Sequence, residues 1–342
     1  MATIRLCVAL ISASAVSAAA GPVTPNATAG VRDVLEYITA LPARAGGRVL
    51  IGQFTAFPLY ARYEWKLTVE KLHDAAGKWP AILGLDYGAA RRDPKDLDLG
   101  ETNRLAIDYW KAGGLVSISW HARNPWTGSH SWDVSGGSLA DLLDEATPAH
   151  AAWMKSLDYA AKGLEELKRE GVVVLWRPFH EMNGAWFWWG RRDRQQFEAL
   201  WRHMFRYFTV AKGLDHLIWV YAASSGAHAR TSVIEYYPGG DYCDLVGLDN
   251  YSDDLRWHGY EELVKLGKPF GATEFGPDKE SGGAFDYRKL IGAIRERYPR
   301  TAFVMCWGTR WALVNNRNAG MLLDDPWIIT REKLDWRGAT VR

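Results

Sequence analysis

The chain has 342 residues, 48% of them hydrophobic and 24% charged, ordinary values for a folded protein with room for one large domain or two small ones. A formal net charge of +1 gives no steering toward nucleic acid or an acidic polymer. The unusual feature is aromatic: 18 tryptophans and 15 tyrosines suit the flat C–H faces of sugars as well as a large core.

Residues 1–20 read as an export signal. Arg5 supplies a positive start, Leu6 to Val16 is an apolar run too short to span a bilayer, and Val16-Ser17-Ala18 or Ala18-Ala19-Ala20 fits a small-residue cleavage site. The mature chain is expected to begin near Ala19 or Gly21 and to be secreted, outside the cell or in a periplasm, as a soluble monomer without membrane or nucleic-acid partners. Cys7 leaves with the signal. Cys243 and Cys306 sit in apolar runs and read as buried free thiols, and no His/Cys cluster has metal-ligand spacing. No metal or organic cofactor is implied.

Residues 21–45 read as a linker followed by a short amphipathic helix, Val31 to Thr39. From there a rhythm begins. Apolar runs at Arg48–Phe54, Ala81–Tyr87, Leu115–His121, Val172–Glu181, His216–Ala223, Asp244–Tyr251, Pro269–Phe275 and Thr301–Trp307 read as buried strands. Helical patterns fall between them at Glu101–Ala112, Pro148–Glu170, Arg194–Lys212, Tyr260–Leu266 and Tyr287–Tyr298, and a last one is expected at Thr330–Trp336. Eight strands alternating with helices predict a single-domain α/β fold, the (β/α)8 or TIM barrel, over residues 21–342. An open doubly wound sheet is the competing layout, but no glycine-rich phosphate loop follows the first strand.

In such a barrel functional groups stand where strands end. Strand three ends at His121, strand four at His180-Glu181, strand six at Asp249-Asn250-Tyr251, strand seven at Glu274 and strand eight at Trp307. Two glutamates, Glu181 and Glu274, therefore face each other across the opening. One protonated carboxyl and one ionised carboxylate are the parts that break a glycosidic bond. Glu181, beside the tryptophans at 186, 188 and 189, suits the acid. Glu274, within expected reach of Tyr251 and Arg177, suits the nucleophile. His203, His216 and His228 read as structural or exposed. The Gly/Ser/Trp-rich loop Asn124–Glu145, after strand three, lies on the same face.

The stretch Trp176 to Gly190, WRPFHEMNGAWFWWG, resembles a signature of glycoside hydrolase family 26. Thr273-Glu274-Phe275-Gly276 is similar to a second signature, and the tail Trp307 to Ile329 to the family's end. The resemblance covers about residues 46 to 335. It implies a retaining hydrolase, most commonly an endo-β-1,4-mannanase, with mixed-linkage β-glucanase (lichenase) and β-1,3-xylanase as alternatives. A silent carbohydrate-binding barrel is the rival of another class, and the intact pair of acids argues against it. Residue by residue, the resemblance implies Glu181 as acid/base, Glu274 as nucleophile, and His121, His180, Trp186, Asp249, Tyr251 and Trp307 as residues around the sugar. Arg177 and Trp126 complete the expected binding set; Trp126 and Trp132 come from the loop that aligns least well.

Overall fold

The computed structural model describes residues 21–337, apart from 56, 58–59, 89–97, 226–228 and 230. The export signal read at residues 1–20 and His228 lie outside the described residues. Eight parallel strands close into a barrel: β1 (Val49–Phe54), β2 (Ile82–Asp86), β3 (Leu115–Trp120), β4 (Val174–Pro178), β5 (Leu217–Ser224), β6 (Leu245–Tyr251), β7 (Phe270–Gly276) and β8 (Thr301–Cys306). Neighbours pair in sequence order, and β1 pairs with both β2 and β8, which leaves no free edge in the ring. Buried residues run the length of almost every strand, as expected of a sheet covered on both faces.

The helices begin and end where local chemistry says they should. Helix α1 (Ala29–Ala40) is capped by Thr28, whose hydroxyl accepts from the Val31 N–H. Between β1 and β2 lie α2 (Ala61–Trp65), a π-helical turn (Lys66–Glu70) and α3 (Lys71–Ala76), which stops at Gly77 with φ 67°. Helix α4 (Gly100–Lys111) precedes β3. The longest helix, α5 (Pro148–Arg169), starts with a Thr147 cap and Pro148 in its first turn. Helix α6 (Arg194–Arg206) is capped by Asp193 and runs on as a π-helical turn, Tyr207–Ala211. Short helices α7 (Tyr260–Val264), α8 (Arg288–Arg297) and α9 (Ala319–Asp324) complete the outer layer. No helix of the described residues is long and apolar enough to cross a membrane.

Two expectations are corrected here. The linker is no linker: Val23 N–H donates to Asp244 (2.8 Å), Thr24 Oγ1 to the Leu217 carbonyl (2.8 Å), and Thr28 N–H to the Asp215 carbonyl (3.0 Å). These bonds pin residues 21–28 to the N-terminal end of the barrel, and α1 lies against β5 and β8 there. The last helix reduces to one 3-10 turn, Arg331–Lys333, preceded by a ninth short strand, β9 (Ile328–Ile329), which pairs with Val49 and Leu50 at the start of β1. Cys243 and Cys306 are buried free thiols.

Candidate active site

After Pro178 the chain leaves β4 through two left-handed residues, Phe179 (φ 49°) and Glu181 (φ 55°). Non-glycine residues seldom occupy that region, and such strain persists only where packing enforces it. Here the packing is aromatic. Phe179 drops into a box of Trp153, Trp188, Trp189 and Phe197, with ring centroids 5.7–5.8 Å away. His180 and Glu181 are thereby turned toward the mouth. Asn183 braces the turn: its amide donates to the Ser224 carbonyl and accepts from the Ser224 N–H, both at 2.8 Å, as a neighbouring strand would.

Strands β6 and β7 deliver the other acids. Asp249 and Glu274 are register partners, and the pairing slips beside them, between Leu248 and Asp249 on β6 and between Ala272 and Phe275 on β7. Such irregularities re-aim side chains at strand ends. One oxygen of each of Glu181, Asp249 and Glu274 lies within 4.8 Å of the other two.

Their counter-charge is Arg177 on β4. Its guanidinium donates to Ser119 Oγ (3.0 Å), to Asp249 Oδ2 (2.7 Å) and to Glu274 Oε1. The side chain is 1% exposed and sits beneath the carboxylates as a strut across the barrel, within the reach of Glu274 expected from the sequence. A cation bound by the three carboxylates would have to share Asp249 and Glu274 with that guanidinium. Tyr251 donates to the second oxygen of Glu274 (2.6 Å), and Thr273 donates to Asp249 Oδ1 (2.6 Å). Burial and the Glu274 charge hold the Tyr251 phenol well above its usual range, which keeps it a donor.

Glu181 has a different environment. Among the described residues its carboxylate forms no ion pair; Trp186 Nε1 donates to it at 2.5 Å. Burial, followed by the charges of Asp249 and Glu274, holds its pKa well above the ordinary carboxyl range. Burial also raises Asp249, to about 7, against the pull of Arg177. The Trp186 ring crosses the backbone of Gly184 so closely that a Cβ there would run into it.

On the other side of the acids is a histidine relay. Asp86, at the end of β2, accepts from His121 Nδ1 (2.6 Å) and from the His121 N–H (3.2 Å). That bond assigns the His121 Nε2 lone pair as acceptor for His180 Nε2–H, 3.1 Å away. Burial, then Arg177 and His121, hold His180 well below the usual imidazole range, so it is neutral. Trp132 stacks on His121 (5.1 Å), with Phe187 and Phe57 edge-on; Trp307 leans on Phe54 (4.9 Å) and lies 6.3 Å from His121.

Of the loop tryptophans, then, Trp132 touches the histidine. Trp126 packs on Trp188 and under Arg192, and its Nε1 donates to Asp141 (3.1 Å). The sequence reading gave no role to Asp86, nor to Asn183 in the polar cluster with Arg177, His180 and Glu181. Asp86 satisfied the same strand-end rule as the others, while nothing local marks Asn183 as a brace.

A cavity of about 450 Å³ opens beside Glu181 and Trp186 and continues along Ser225, Asn250 and Tyr251. Two opposed carboxyl groups in unlike surroundings, a phenol donor and rings at a groove are the equipment for acetal cleavage.

The profile of glycosyl hydrolase family 26 matches residues 23–333. The chain is 35% identical to the mannan endo-1,4-beta-mannosidase of Bacillus subtilis (strain 168), over 98% of its own length and 96% of that protein's. The solved structure of Bacillus subtilis mannanase man26 superposes with a TM-score of 0.84 at 34% identity, over 92% of this chain and 96% of that one. GH26A from Muricauda sp. MAR_2010_75 gives 0.77 at 27% identity, over 91% and 99%.

Proposed function

Because the chain belongs to glycosyl hydrolase family 26, we propose that it is an exported endo-β-1,4-mannanase that cleaves mannan, glucomannan or galactomannan with retention of configuration. The approach of Glu181 and Glu274 oxygens to within 4.8 Å carries the mechanistic part. Retention uses carboxyls about 5–5.5 Å apart, whereas inversion needs about 6.5–9.5 Å to fit a water between acid and sugar. The Bacillus subtilis relatives support mannan as the substrate. The export signal read at residues 1–20 supports secretion.

Glu274 attacks the anomeric carbon. Arg177 and Tyr251, which donate to its two oxygens, hold it in place. Glu181 gives its proton to the departing oxygen. Once Glu274 is esterified its negative charge is gone, one cause of Glu181's raised pKa disappears, and Glu181 becomes the base that activates water. Trp307, Trp132 and His121 receive the sugar being cleaved and its neighbours.

The test is Glu274→Ala. It should lose roughly four to six orders of magnitude in kcat. Azide should then restore turnover of an activated aryl β-mannoside, with an α-configured azide as product. A near-normal Glu274→Ala enzyme, or an azide product of β configuration, refutes the nucleophile assignment.

A further inference from the structure

The cavity beside Glu181 and Trp186 does not end at Tyr251; it extends to Asp254, Arg256, His258 and Asp278, none of which has a task in the cleavage just described. The stretch Ser252–Gly259 alternates, with Leu255 and Trp257 buried and Asp254, Arg256 and His258 exposed. Hydrogen bonds fix that alternation. Trp257 stacks on Tyr298 at 4.4 Å, and the Tyr298 hydroxyl accepts from the Trp257 N–H and donates to the Leu255 carbonyl, both at 2.8 Å. Leu255 holds a left-handed φ of 54°, a strained choice for leucine that the surrounding packing enforces.

The Asp254 carboxylate is set by Ser252 Oγ (2.7 Å) and the Arg256 N–H (2.8 Å), and its Oδ2 lies 3.6 Å from the Arg256 guanidinium. The loop after β7 is tied to the same stretch: Asp278 N–H donates to Asp253 (3.0 Å), and Asp253 N–H donates to Asp278 (3.3 Å). The charged side chains are thus presented from two mutually braced loops. Both apolar side chains of the stretch, Leu255 and Trp257, point inward, so what it presents to the cavity is Asp254, Arg256 and His258.

We propose that Asp254, Arg256 and His258, with Asp278 on the same cavity, form a sugar subsite that holds a pyranose of the departing chain beyond the ring that leaves at Glu181. This rests on the reading of the chain as a β-glycan hydrolase. The side follows from the chemistry: Glu181 protonates the departing oxygen, and the cavity opens on the Glu181–Trp186 side, away from His121 and Trp132. The ligand class follows from the wall. A guanidinium fork spans two neighbouring hydroxyls, and carboxylates accept hydroxyl protons.

The experiment compares wild type with Arg256→Ala and Asp254→Asn, both at exposed positions. For each, kcat/KM is measured on the β-1,4-mannose hexamer and on an aryl β-mannobioside, whose departing group is a single ring. The ratio of hexamer to aryl values should fall roughly tenfold to a hundredfold in Arg256→Ala, the loss of one charge-assisted hydrogen bond, and KM should carry it. The preferred bond in the hexamer should move toward shorter departing fragments. A ratio equal to wild type with the same bond preference overturns the subsite, including the case where both substrates lose equally. If the wild type ignores mannan and cleaves lichenan or β-1,3-xylan, the ratio is taken on those oligomers. The mannan reading then fails without deciding the fate of Arg256.

Discussion

Arg177 has three oxygen partners on three other strands, Ser119, Asp249 and Glu274, and almost no contact with solvent. Replacing it by Met leaves Asp249 and Glu274 buried and unpaired, which costs about 3–5 kcal/mol. We expect urea denaturation at neutral pH to show that loss, and lowering the pH to recover part of it as the carboxyls protonate. Arg177→Lys keeps the charge but not the fork, so it should fold and still lose kcat more than KM changes. Glu181 is the opposite case. A carboxyl whose folded pKa lies above its unfolded one stabilises the fold below the unfolded value and withdraws that stability as pH rises through the folded pKa. Glu181→Gln should therefore melt higher than wild type at about pH 8, with the gap closing near pH 4. A constant gap would mean that Glu181 is not strained by its charge. At this scale strand-end rules single out Glu181 and Glu274 in the sequence, and the structure brings one oxygen of each within 4.8 Å of the other. The reach of Arg177 to Glu274 was legible, but its place on the floor was not, because polarity alone does not say whether a cation faces the groove or the floor.

The strands were legible within a residue or two at most ends, since buried parallel strands are nearly continuous apolar runs. The exception is β4, expected to reach Glu181, where the left-handed turn at Phe179 ends the pairing at Pro178. The helices α2 and α3 were not legible. Tyr60, Tyr63 and Leu67 are 46%, 62% and 40% exposed, and apolar residues on the solvent side blur the helical period. The tail was misread for a related reason. Arg331 lies over Trp79 and Tyr109, and its N–H bonds to the Trp79 carbonyl, long-range contacts that override a local helical pattern. Inside the barrel small and large residues alternate between strands. A Cβ on Gly84 of β2 would collide with the Phe54 ring, which carries Trp307 on one side and Arg177 on another. Gly84→Ala should cost about 1–3 kcal/mol by overpacking. It should also raise KM through the displaced Trp307; loss of stability with KM unchanged would show that Phe54 yields elsewhere.

Over the whole molecule the two ends of the barrel divide the work. Residues 21–28, α1 and β9 close the N-terminal end with backbone pairing and apolar contacts. The C-terminal end keeps the strained turn, the carboxylates and the groove. The overall architecture was legible from the alternation of runs, but the closure of the bottom was not, because Pro/Thr/Ala-rich residues read as a linker whichever surface they lie on. The pH–rate profile belongs to this scale, since the acid and its neighbour Asp249 titrate together over a strut that keeps its charge. kcat/KM should fall on the alkaline side, as Glu181 loses the proton that its raised pKa lets it keep. In Asp249→Asn, which removes one of the repelling charges, that limb should move to lower pH. An unmoved limb would separate Asp249 from the acid.

The guanidinium at the bottom of the catalytic cup has one more implication. Its partners lie where mobile ions do not reach, and Coulomb forces there escape the Debye screening that weakens pairs at a surface. Brine that loosens the rim should leave the charge balance of the cup nearly untouched, so turnover at saturating substrate should tolerate ionic strengths at which the grip on a long glycan has already slackened.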